Sequence, residues 1–64
     1  MRYPDIQVEL TGQDGNAFAI IGRVVKELQR NKVSPAEIAD YKNEAMSGDY
    51  NHLLTTTMEW VEVL

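Results

Sequence analysis

From Asn16 to Arg30 the chain reads NAFAIIGRVVKELQR, with apolar residues recurring at the three-to-four spacing of a helix. At about 100° per residue, Ala17, Phe18, Ile20, Ile21, Val24, Val25 and Leu28 share one arc of roughly 160°, and Arg23, Lys26 and Arg30 gather opposite it. A helix with so broad an apolar face is the main core element. Ahead of it Ile6-Gln7-Val8-Glu9-Leu10 alternates strictly, which predicts a half-buried strand with Ile6, Val8 and Leu10 facing inward. Met1 to Pro4 is expected as a loose lead-in, because Pro4 holds Tyr3 in extended geometry.

Thr11-Gly12-Gln13-Asp14-Gly15 is a turn-rich connector in which Asp14 or Asn16 supplies the cap of the first helix. Gly22 inside that helix costs about 1 kcal/mol relative to Ala, and the expected reason is close approach of another backbone. After the break at Asn31-Lys32-Val33, Ser34-Pro35-Ala36-Glu37 has the form of a capping box with proline at the first helical position. The second helix runs to Met46 with a narrow stripe of Ile38, Tyr41 and Ala45 and an acidic flank of Glu37, Asp40 and Glu44; Ser47-Gly48 ends it through a left-handed glycine. Asp49 caps a third helix whose apolar face holds Tyr50, Leu53, Leu54, Thr57, Met58, Trp60 and Val61, with Thr55 and Thr56 on the polar side. That helix extends to about Val61, while Val61-Glu62-Val63 also reads as a short strand.

These elements make one small, mainly helical α+β domain over residues 1–64: an N-terminal strand, three helices and a tail open between helix and strand. The expected core is Ile6, Val8, Leu10, Phe18, Ile21, Val25, Leu28, Ile38, Tyr41, Leu53, Leu54 and Met58. So short a chain buries only about 60% of its unfolded surface, so association is an expected source of further burial.

Chemistry changes this picture little. The chain has no cysteine, which excludes disulfides, thiolate metal sites and a cysteine nucleophile. A net charge of −4, from ten acidic and six basic residues, disfavours non-specific nucleic-acid binding. The N-terminal residues are too polar for a signal peptide and no apolar run reaches membrane-spanning length, so a cytoplasmic setting is expected.

His52, the one histidine, shares a helix face with Asp49 and Glu59, yet Asp49 already serves as a cap and a metal site usually draws on several elements. Ser34 and Ser47 sit where helix ends need them, and the threonines read as helix surface. Gly12-x-x-Gly15 lacks the Lys-Ser/Thr that a phosphate loop requires. The expectation is no enzyme, no cofactor and no metal.

Asp14-Gly15-Asn16-Ala17-Phe18, then Ser47-Gly48-Asp49-Tyr50, His52-Leu53-Leu54 and Trp60-Val61 give the chain a family likeness. It resembles a group of short uncharacterised bacterial and phage proteins with similar GNAF and SGDY-x-HLL blocks, from about Val8 onward. The resemblance implies a bacterial or phage setting and no activity or site residue.

A strong apolar pattern without a chemical constellation points to a non-enzymatic interaction module, self-associating as a homodimer. Candidate partner-binding residues are the basic stripe Arg23, Lys26 and Arg30, with Trp60 as a core-closing residue or an exposed anchor. If the stripe meets the acidic flank of the second helix, within one molecule or between two, the opposed charges steer pairing more than they add affinity. The alternative is a nucleic-acid-associated accessory protein using the same stripe. Against it, the helix that would enter the major groove carries Glu37, Asp40 and Glu44 against Lys42 alone.

Overall fold

The computed structural model describes residues 1–12 and 15–64; the candidate cap Asp14 and the centre of the Gly12–Gly15 loop lie outside them. The elements run β1 (Tyr3–Val8), α1 (Ala17–Arg30), α2 (Pro35–Ala45), α3 (Tyr50–Trp60) and β2 (Val61–Val63). This is the expected α+β architecture, with the tail resolved as a strand.

Each helix starts on a polar cap. Asn16 accepts from the amides of Phe18 and Ala19, Ser34 from that of Glu37, and Asp49 from that of His52. Glu37 does not turn back to complete a capping box; its carboxylate takes the Tyr3 hydroxyl at 2.5 Å and lies 3.6 Å from Arg2. α1 ends in a Schellman motif: the Lys32 amide bonds Gln29 O and the Val33 amide bonds Leu28 O, both at 3.0 Å. Lys32 therefore sits at φ 62°, a left-handed position where glycine is usual.

β1 pairs with β2 in parallel, matching Tyr3 to Val61, Gln7 to Glu62 and Val8 to Val63. The ladder is irregular between Tyr3 and Gln7, where Pro4 has no amide to donate. Beyond the strands the Arg2 amide reaches Glu59 O, and Leu10 and Thr11 both donate to Leu64 O. Parallel strands need a long crossover, and here the three helices are that crossover. β1 thus begins at Tyr3 instead of Ile6, and the lead-in is part of the sheet, not a loose end. The partner of β1 is the tail of the same chain.

The core gathers Ile6 and Val8 from β1, Ile20, Ile21, Val24 and Leu28 from α1, Ile38, Tyr41 and Ala45 from α2, and Leu53, Trp60 and Val61 from the C-terminal third. Two expected members are outside it: Phe18 is 78% exposed and Met58 53%. Leu10, Val25 and Leu54 pack at its edge. The helical wheel locates the apolar arc of α1, but the neighbouring elements cover only its Ile20–Ile21 side, and Phe18 lies at the other end. On α3 the buried stripe is Leu53, Thr56, Thr57 and Trp60, so the threonine run is not simply helix surface. Thr57 is buried because its hydroxyl meets Tyr41 Oη at 2.8 Å.

The two glycine expectations also change. A Cβ on Gly22 would meet nothing within 4 Å, so among the described residues no other backbone packs against it. Gly48 does not adopt the left-handed region, whose one glycine among the described residues is Gly12. What Gly48 admits is the His52 ring, 2.8 Å from where its Cβ would stand.

Candidate functional site

The surface feature that stands apart is an apolar face where the N-terminal ends of α1 and α3 meet the C-terminal end of α2. Ala17, Phe18, Ile21, Ala45, Met46, Tyr50 and Leu53 line a hollow of about 320 Å³ there, with Asp49 the one charged residue among the lining. Phe18 stands at its rim, with Met46 53% and Tyr50 46% exposed beside it. The face is held in shape by its polar edges. The Tyr50 hydroxyl donates to Gly15 O at 2.6 Å and ties the start of α3 to the approach to α1. Large side chains clustered around a concavity are costly to leave in water, and such patches mark interaction sites on small soluble domains.

Next to this face, the His52 ring closes the α2–α3 connection. Its Nε2 lies 3.0 Å from both Glu44 O and Glu44 Oε2, 3.1 Å from Ser47 Oγ and 3.4 Å from Thr56 Oγ1. Ser47 Oγ also donates to Glu44 O at 2.7 Å. A backbone carbonyl and a carboxylate around Nε2 require that nitrogen to carry a proton and donate. A catalytic triad needs the reverse, with Nε2 free to accept from the serine and the acid on Nδ1. The arrangement is a cap on the C-terminal end of α2. Among the described residues no group of His, Cys, Asp and Glu could hold a metal ion, and no helix is long and apolar enough to cross a membrane.

The residues expected to bind a partner do not form one site. Arg23, Lys26 and Arg30 line a groove between α1 and β1 together with Gln7, Glu9 and Glu27, and Arg30 is paired with Glu27 at 2.9 Å. The acidic flank of α2 faces elsewhere: Glu37 meets Arg2 and Tyr3, and Glu44 meets His52. The two charge stripes therefore do not meet within the molecule. Trp60 is 6% exposed, edge-on to Tyr41 with ring centroids 5.6 Å apart, and the Arg2 guanidinium lies 4.0 Å above its ring centroid. It closes the core, and the exposed-anchor reading of Trp60 is set aside.

Two pKa shifts follow from the packing. Burial raises the Tyr41 phenol above its ordinary value, against a smaller lowering by Thr57. The hydrogen bond to Glu37 raises that of Tyr3.

The exposed trio Phe18, Met46 and Tyr50 escaped the sequence reading, although Phe18 lies at the extreme edge of its apolar arc. Comparison of the chain with protein-family models, curated proteins and solved structures finds no match, so no residue role is carried over to it.

Proposed function

We propose that this chain is a non-enzymatic interaction module that works in the cytoplasm by self-association, and that its docking surface is the apolar face around Phe18. The observation that carries the reading is the exposure of Phe18, Met46 and Tyr50 around one hollow. The polar groups nearest to it are occupied in capping, and what remains available is shape and apolar area. The basic stripe is a weaker docking surface, because Glu27 and Glu9 share its groove and Arg30 is already paired.

The test is sedimentation over a wide concentration range, comparing the wild type with Phe18→Ser/Met46→Ser. Both positions are exposed, so the double variant should melt close to the wild type. The wild type should gain mass with concentration and the variant should stay at monomer mass. Equal association by both would remove this face from the proposal. A titration against random duplex DNA addresses the nucleic-acid alternative. Binding with a steep salt dependence would favour it, and no binding at low salt would remove it.

A further inference from the structure

Gly22 is a helical glycine against which no other element packs among the described residues. Its backbone is right-handed and a Cβ would stand in open space, so alanine would fit and favour the helix. One turn before it, on the same side of α1, stands Phe18, the most exposed large apolar residue of the chain. Positions four apart on a helix are neighbours, about 6 Å along the axis. A projecting ring and a bare stretch of backbone thus adjoin on one exposed face, with half-buried Val25 continuing it.

Resting on the reading that this face docks a second copy, we infer that two molecules pair through antiparallel α1 helices about a two-fold axis. The axis passes between positions 18 and 22 and sets each Phe18 ring over the partner's Gly22. A two-fold interface must be self-complementary, with residue i touching j and j touching i. A knob and a gap one turn apart on the same face meet that condition twice. Met46 and Tyr50, beside Phe18, widen the contact. At their exposures the three residues offer on the order of 350 Å² per copy, given side chains of roughly 150–250 Å². Doubled, this is about 700 Å² of apolar area, so an interface of about 1,000 Å² draws the remainder from the polar surface around it. The pair is a weak, reversible dimer. Each copy carries −4, so salt tightens it by screening like charge, whereas pairing through opposed charge stripes would loosen with salt.

Sedimentation of single and double variants tests the geometry. Phe18→Ala removes the knob and Gly22→Phe fills the gap, and each should weaken the dimer at least tenfold. Phe18→Ala/Gly22→Phe exchanges knob and gap, and by symmetry it should associate more tightly than either single variant. Gly22→Ala separates fold from contact, since it should raise the melting temperature of the monomer while weakening the dimer. If Phe18→Ala abolishes association but the exchange rescues nothing, the α1–α1 geometry is overturned while the docking face stands. If the wild type associates and none of these variants alters it, the docking face itself is wrong. A wild type that stays monomeric at every concentration overturns the inference directly.

Discussion

Tyr41 and Thr57 share a hydrogen bond of 2.8 Å in the middle of the core, and neither residue is exposed to solvent. It joins α2 to α3 and leaves each hydroxyl dependent on the other. Removing one partner should therefore cost more than removing both. Tyr41→Phe or Thr57→Val alone should each destabilise by about 1–3 kcal/mol through a buried group left without its partner, while the double variant should cost less than the sum. Urea unfolding of the four proteins closes the cycle. Strict additivity would show that the bond couples nothing.

The same burial makes the fold sensitive to alkali. Tyr41 binds its proton more tightly folded than unfolded. Its contribution is therefore complete below the ordinary phenol value of 10.0 and is lost as pH rises beyond it toward the raised native value. Phenolate absorbance followed alongside far-ultraviolet circular dichroism should show Tyr41 ionising in step with loss of helix. Ionisation of all three tyrosines before any loss of helix would contradict this.

Deleting Glu62 to Leu64 should strongly destabilise the chain. The segment removes Val63 from the edge of the core, the Leu64 amide from Val8 O, and the acceptor used by Leu10 and Thr11. Together these are worth about 3–5 kcal/mol by hydrogen-bond and burial magnitudes, a large part of a small domain's stability. Thermal melts of the truncated chain give the answer. A truncated chain that melts with the wild type would mean that β1 finds its partner elsewhere.

Gly48 and Lys32 should respond in opposite directions to substitution. Gly48→Ala pushes a methyl into the His52 ring and should cost about 1–2 kcal/mol by displacing the cap on α2. In a His52→Ala background the same change should cost little. Lys32→Gly relieves a left-handed backbone and should stabilise by about 1 kcal/mol. Denaturant midpoints of these four variants decide both points.

Much of this architecture was legible in the sequence because it rests on local rules. The caps at Asn16, Ser34 and Asp49 each need only a short polar side chain and the amides two or three residues on. The apolar arc of α1 is a property of spacing alone. The alternation at Ile6 and Val8 likewise identified the inner face of β1. Spacing alone puts Thr57 on the apolar face of α3 and Thr56 on the polar side, yet both are buried. Whether a hydroxyl is buried depends on a partner, and Tyr41 lies on another helix.

What the sequence by itself determined is where the chain turns, caps and folds back, since these depend on a few neighbouring residues. What only the tertiary structure decided is which part of each apolar surface is covered. Periodicity could not tell Ile20 from Phe18, because both belong to the same arc. The packing of the strands and the other two helices buries one and leaves the other 78% exposed. The tail shows the same division. Val61-Glu62-Val63 reads both as the end of the α3 wheel and as a β-branched strand, and it becomes a strand because β1, more than fifty residues earlier, offers it a ladder.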